Sequence, residues 1–526
     1  MVSSLIYSLC AVSGLLATTV NGLPKKGHRS ETSLPIVKQT KCGSHTYQYN
    51  GLVGYGTVPS NAVDKYGDTL GGFGSSIAIE QASWKKNSDG TYEGIAWAIP
   101  DRGWNTQGTL NVQSRIQKLS LKLTLAPSAT VSNPSDPNLE IKLLDTLLLT
   151  GPDGTPMTGL DADFSGNISY PGFPGMPVAT YPGDGFGGSG AGGRRISLDS
   201  EGIVIGNDGA FWVSDEYGPY VYKFSREGRM LQAIQPPDAY IPRRNGKVSF
   251  SAASPPIYEP DRQTDPEDPE TGRNNNQGFE GLAISRDGKT LYVLLQSALN
   301  NDGGPKKRYR KQARMLEYDI SGTTPKYTHE YVVTLATFVD PHEQDPSKVT
   351  ITASQSEIHY LPTGDFLILS RDSNAGRAAE YTESVYRHAD IISKSAQTTD
   401  IKSKSNDKAD GSIASSEGVL DDGINPLDYC SFVDYNLNSE LGKFRLHNGG
   451  AQDEHLLNEK WESLALVPVD PSKEFEDDGK NEYFLISFSD NDYITQDGHL
   501  NFGKFKYADK SGFNVDTQVL VFRVTL

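Results

Sequence analysis

The chain has 526 residues and a formal net charge of −17, which argues against gripping the phosphate backbone of nucleic acid as a main role. Gly (53), Pro (30) and Tyr (26) are plentiful, turn signals are frequent and long heptad patterns are absent, so an all-β chain with many loops is expected. Length alone suggests about three domains, but a closed ring of repeats can absorb such a length in one.

Residues 1–22 carry an apolar run from Leu5 to Ala17 and end in small residues, the pattern of a secretory signal peptide. Residues 23–44 read as a flexible leader, and 45–526 as a single domain. No later stretch approaches a membrane span, so a secreted protein with no membrane partner is expected. Beyond the signal peptide only Cys42 and Cys430 remain; an oxidising compartment favours one disulfide between them. Asn167-Ile168-Ser169 is an N-glycosylation acceptor in a loop-like stretch.

Strand patterns then recur in groups. The first group runs from Ser75 through 94–103, 115–125 and 139–149. After a Gly- and Pro-rich loop comes Glu201 to Gly228, EGIVIGNDGAFWVSDEYGPYVYKFSREG, with Met230 to Ile234 as its fourth strand. The third group spans 280–285, 290–297, 313–320 and 331–336; the fourth spans 357–362, 366–372 and 384–391. A Ser-, Lys- and Asp-rich insertion at about 393–428 reads as mobile. The last group has 462–469, 482–490 and the terminal QVLVFRVTL. Four-stranded units in series predict a β-propeller of five or six blades with long inter-blade loops. Residues 429–447 are candidates for a sixth blade. Tyr47 to Val53 is the candidate to complete the last blade from the other terminus, pinned by the Cys42–Cys430 bond.

Hairpin geometry places the start of each first strand beside the end of the second, roughly 5 Å away. Glu201, Glu280, Glu357 and Glu462 therefore share one mouth of the ring with Asp101, Asp215, Glu216, Asp372, Asp490 and Asp492. The third blade offers Gln296 and Ser297 instead of an acid. Arg102 and Arg371 sit beside the acids. Crowded carboxylates require hard cations, raised pKa values or Arg pairing. The metal candidates are Asp101, Glu201, Asp215, Glu280, Glu357, Glu462 and Asp490, with Ca²⁺ the expected ion; a purely structural role, each Glu bonding the next blade's amides, is the alternative. Asp215 and Glu216 are preferred for chemistry, with Asp372, Arg102 and Arg371, and Glu201 is expected to serve the scaffold. The basic run through Lys306, Lys307 and Arg308 is a candidate receiver of substrate phosphates, a solvated hairpin tip being the alternative.

EGIVIGNDGAFWVSDEYGPYVYKFSREG, NQGFEGLAISRDGKTLYVLLQSAL, GDFLILSRD and KWESLALVPV resemble the phytase-like family, "esterase-like activity of phytase". WAIPDRG (97–103) and PDGTPMTGLDAD (152–163) fit it as well. The resemblance implies a propeller and suggests phosphoester or ester hydrolysis, with Glu201, Asp215, Glu216, Glu280, Asp372 and Glu462 as the implied acids. Other matches lack their context. GDGFGG at 183–188 does not join a strand to a helix. Asp161-Ala-Asp163 starts like a calcium loop but has Gly172 at position twelve. Arg387-His388 sits in an apparent strand, and there is no GxSxG. The expectation is a monomeric, calcium-assisted phosphoester hydrolase acting on a small phosphorylated or ester substrate. The rivals are a non-catalytic binding propeller and a carboxylesterase or lactonase-like hydrolase.

Overall fold

In the computed structural model, residues 35–526 are described, so the expected signal peptide lies outside the described residues. Five antiparallel sheets form the five blades of a propeller. Blade 1 orders Ser76–Ile79, Tyr92–Ile99, Arg115–Leu123 and Leu139–Leu148 from the axis outward. Blade 2 is Ser200–Ile205, Phe211–Asp215, Val221–Phe224 and Met230–Ile234; blade 3 is Phe279–Ile284, Thr290–Leu295, Gln312–Asp319 and Lys326–Thr334.

Blade 4 is Ser354–Tyr360, Phe366–Arg371, Arg387–Ser393 and Asp428–Asp434. The stretch at 429–447 therefore supplies the fourth strand of blade 4 and not a sixth blade. The insertion at about 393–428 joins that blade's last two strands, and its Ile401 and Ile413 are buried against Val332 of blade 3.

The sequence explains the layering. Second strands such as Phe211–Asp215 are buried along their whole length, sandwiched between neighbouring blades, and read as continuous apolar runs. The outermost strand of blade 1 alternates instead, with Leu139 buried and Glu140 and Lys142 toward solvent. The tight turns leading into the second strands use Gly90, Gly209, Gly288 and Gly364 at positive φ, where a side chain is strained.

Ring closure is by the N-terminal segment. His45–Val58 pairs antiparallel with the C-terminal strand Thr517–Thr525, which pairs in turn with Glu482–Asp490 and, inside it, Ala465–Pro468. Blade 5 is thus built from both ends of the described chain. Pairing reaches further back than the leader reading allowed, because Lys38–Cys42 adds a strand outside His45–Val58. Cys42 is bonded to Cys430 of blade 4, with Cα atoms 5.8 Å apart. The bond ties the outer edges of blades 4 and 5 together where they meet.

Replacing both cysteines, Cys42→Ser with Cys430→Ser, should cost on the order of 2–4 kcal/mol of stability. In a chain of this size that appears as a fall of a few degrees in Tm, read by thermal unfolding; an unchanged Tm would mean that strand pairing alone holds the closure.

Candidate active site at the acid-lined mouth

A register shift sets which acids reach the axis. In blade 3 the ladder passes from Phe279↔Leu295 to Gly281↔Leu294, so Glu280 is the extra, unpaired residue of a bulge. Blade 2 has its irregularity between Ser200 and Ile203, spanning Glu201 and Gly202. A bulge re-aims the side chain it carries. The Gly beside each Glu is required by close approach: a Cβ on Gly202 would lie 2.5 Å from Ser214 Oγ and 2.6 Å from Leu282 Cβ. In blade 4 the shift falls between Gln355 and Glu357, leaving Glu357 in the ladder opposite Leu369. Glu357 consequently takes a different direction from Glu201 and Glu280.

Asp199, Glu201 and Glu216 gather ligand-capable oxygens within 4.8 Å of one another. All three are buried, and Glu216 Oε2 is enclosed with no hydrogen-bond donor; its Oε1 accepts the Gly278 amide at 3.2 Å. Arg102 pairs with Asp199 at 3.1 Å. Glu280 stands beside the trio. Its Oε1 accepts a hydrogen bond from Gln296, and its Oε2 is buried without a donor. Burial pushes Glu216 up to about 8, helped by the charge of Asp199, and burial followed by Glu280 holds Glu201 well above the carboxylate range.

A second trio, Asp101, Asp490 and Asp492, also gathers oxygens within 4.8 Å, but a protein cation already serves it. Lys460 Nζ lies 2.8 Å from Asp492, 3.5 Å from Glu462 and 3.9 Å from Asp490. Asp101 accepts from the Gly103 amide and from Asn105. Burial pushes Asp101 up to about 7 against the pull of Lys460. Arg371 binds Glu462 at 2.7 Å.

Other candidates spend their acceptors on the scaffold. Asp215 receives the amides of Asp199, Tyr217 and Gly218 and the Tyr222 hydroxyl; it organises the turn that delivers Glu216. Asp372 receives Ser384 Oγ and the Val385 and Tyr386 amides. Glu357 receives Ser76 Oγ and the amides of Leu282 and Ile358. Asp215 and Glu216, adjacent in sequence, thus part company, and Glu201 stands among the open acids instead. Of the motifs set aside, Asp161 receives Ser251 Oγ and the amides of Ala252 and Ser254. Asp184 of the GDGFGG loop receives the amides of Phe186 and Gly188. Asn167 is exposed.

Lys306, Lys307, Arg308 and Arg310 line a cavity of about 720 Å³ whose wall also includes Gln277, Arg371 and Asp372. Gln277 donates to Gln296, which donates to Glu280, so the cavity wall touches the acid mouth through Gln277 and through Arg371. None of the four basic side chains has a carboxylate within ion-pair distance among the described residues. Sequence reasoning missed Asp199 and Lys460. Each lies two residues before a mouth Glu, as Asp199-x-Glu201 and Lys460-x-Glu462, a spacing that puts side chains on one side of a strand.

Fold and site together define an acid-mouthed, five-bladed propeller. Residues 83–492 match the Phytase-like family, "esterase-like activity of phytase", and the chain belongs to that family. An uncharacterized secreted protein of Arthroderma benhamiae is 98% identical over 498 residues, covering 95% of this chain and 97% of the relative. This chain is likewise a secreted protein. Among the described residues no helix is long and apolar enough to cross a membrane. Solved structures with a similar outline include a luciferin-regenerating enzyme (13% identity, TM-score 0.26, covering 90% of this chain and 96% of that one). Another is an N-acetylgalactosamine deacetylase from F. plautii (10% identity, TM-score 0.31, covering 91% and 96%). At this distance they carry no argument about activity.

The raised carboxyls set a pH dependence. A carboxyl whose folded pKa exceeds its unfolded value holds its proton longer in the native state, so stability falls as pH climbs between the two values. For Asp101, Asp215 and Glu216 that window runs from about 4 up to about 7 or 8. With chelator present, Tm should be higher at the acidic end of this window than at the basic end, and Glu216→Gln should flatten the slope. A Tm rising with pH across the window would contradict the burial of these groups.

Proposed function

We propose that the protein is a secreted, metal-assisted hydrolase of phosphoric esters working at the acid mouth. The carrying observation is the trio Asp199, Glu201 and Glu216, buried, close together, and with Glu216 Oε2 lacking any donor. An uncompensated buried carboxylate costs several kcal/mol, and an all-oxygen set suits a hard cation of the calcium type. Asp199, Glu201 and Glu216, with Glu280 beside them, would hold it. When bound, such an ion supplies Lewis acidity and neutralises the crowded carboxylates.

The remaining roles belong to side chains of the chain itself. Arg102 fixes Asp199 from outside the trio, and Tyr217, whose hydroxyl donates to the Gly159 carbonyl, supports Arg102 through its ring face. In a protein of net charge −17, Lys306, Lys307, Arg308 and Arg310, with Lys348 and Arg371, outnumber the acids Asp340, Glu343, Asp372 and Glu383 of the same wall and would form a local attractor for an anionic substrate. Arg371, on the wall of that cavity and anchored by Glu462, is placed to grip a phosphoryl oxygen through its fixed fork of donors. Gln296 holds Glu280 by a neutral hydrogen bond where the other blades carry an acid.

The test is hydrolysis of p-nitrophenyl phosphate and of polyphosphorylated polyols by the secreted protein. Chelation should abolish turnover and Ca²⁺ restore it, and Glu216→Gln should lower kcat by about 10²-fold or more. Lys307→Glu with Arg308→Glu should raise KM with a smaller effect on kcat. Turnover indifferent to chelator would remove the metal from the reading. Inertness toward phosphoesters and carboxylesters, with Tm still raised by Ca²⁺, would make the mouth a binding site only.

A further inference from the structure

The axial channel is divided. Glu357 of blade 4 bonds Ser76 of blade 1 and the Leu282 amide of blade 3 across it, and Ser76 Oγ also receives the Ile203 amide of blade 2. On the side away from the acid mouth lies a separate cavity of about 580 Å³, with Glu357 in its wall. Each blade contributes an aliphatic side chain: Ile77, Ile203, Leu282, Ile358 and Leu464. From Glu357 to the level of Tyr360 the wall rises about 10 Å, at about 3.3 Å per strand residue. That volume is in the range of small-molecule sites.

Charge in this cavity is confined to its outer end. His359, inside it, is pushed down to about 4 by burial and is neutral at physiological pH. Glu357 is fully engaged by its three donors. At the outer end Arg286 is exposed, lies 5.8 Å over the Phe475 ring, and has no carboxylate within ion-pair distance among the described residues. Lys473 and the acid Glu474 also stand in the outer wall, Lys473 being answered by Asp470 at 3.7 Å.

We propose that this cavity is a second binding site, independent of the acid mouth, for an amphiphilic monoanion: an apolar chain of medium length seated in the channel and a carboxylate held at Arg286. The apolar walls match the chain, and Arg286, which has no ion pair among the described residues, matches one negative head even with Glu474 in the same outer wall. Glu357 sets the depth, since a longer chain meets the hydrogen-bonded knot. The phosphoester site lies beyond that knot and takes a different class of ligand.

The experiment is calorimetric titration of the intact secreted protein with decanoate, with 1-decanol and with orthophosphate. Decanoate should bind, Arg286→Gln should weaken it about tenfold or more, and 1-decanol should bind wild type no better than decanoate binds that variant. Ala78→Phe, which fills the channel wall, should abolish decanoate binding while leaving phosphoesterase turnover or Ca²⁺ binding in place. If that variant does not fold, Phe475→Ala at the rim should weaken decanoate in its stead. Absence of decanoate binding at millimolar concentration, equal binding by Arg286→Gln, or displacement of decanoate by orthophosphate would each overturn the proposal.

Discussion

The constraint on which this propeller depends is the meeting of its inner strands at a narrow five-fold axis. At Gly202 a single Cβ would lie 2.5 Å from Ser214 Oγ of its own blade and 2.6 Å from Leu282 of the next. Across the axis the hydrogen bonds of Glu357 and Ser76 link blades 1 to 4. Burial holds the Glu357 carboxyl well above its usual range. A group so enclosed is tolerated because every nearby donor is aimed at it. The knot joins strands far apart in sequence and separates the channel into two chambers with different chemistry.

The same crowding explains why equivalent positions do not do equivalent work. Blades 2 and 3 place a bulge at the Glu-Gly pair, which throws Glu201 and Glu280 toward the mouth. Blade 4 has Ile358 in place of the Gly and its bulge one residue earlier, so Glu357 stays in register and becomes a strut. A one-residue change in phase turns a potential ligand into scaffold, as the period of two in a strand requires. Asp215 and Glu216 make the same point: one binds two amides of its turn and that of Asp199, and the next reaches the trio.

The fold was legible because the repeat punctuates itself. The Gly-containing turns and the opening Glu residues mark four of the five blades, and Tyr47 to Val53 is visibly a strand without a local partner. Where the reading failed, the cause was pairing at long range. Asp428–Asp434 looks like the start of a unit but completes blade 4 after a long connection. Lys38–Cys42 is too polar to read as a strand until it is seen as an outer edge. At the mouth, the pattern named many of the acids but not which are spent on the scaffold, because a sequence does not show which strand is bulged, and the bulge decides direction. Asp199 and Lys460 were within reach through their i, i+2 relation to Glu201 and Glu462; attention to acids alone passed over the lysine.

Lys460 is the key to asymmetry at the mouth. Two carboxylate trios, each with ligand-capable oxygens within 4.8 Å of one another, share the mouth, one wholly buried and the other with Asp492 half-buried. One contains a tethered ammonium contacting Asp492, Glu462 and Asp490, and those acids hold the ammonium well above its ordinary range, so it remains charged. The other has Arg102 on the flank of Asp199 and the charge of Arg273 acting on Glu216, and it retains an oxygen of Glu216 with no donor. A mobile cation gains little at the first trio, where it would have to displace a covalently attached rival of like sign. At the second it meets gathered oxygens, among them Glu216 Oε2 with no donor. Charge balance, rather than the number of acids, is therefore the ground for proposing Asp199, Glu201 and Glu216 as the half of the mouth that would take a cation.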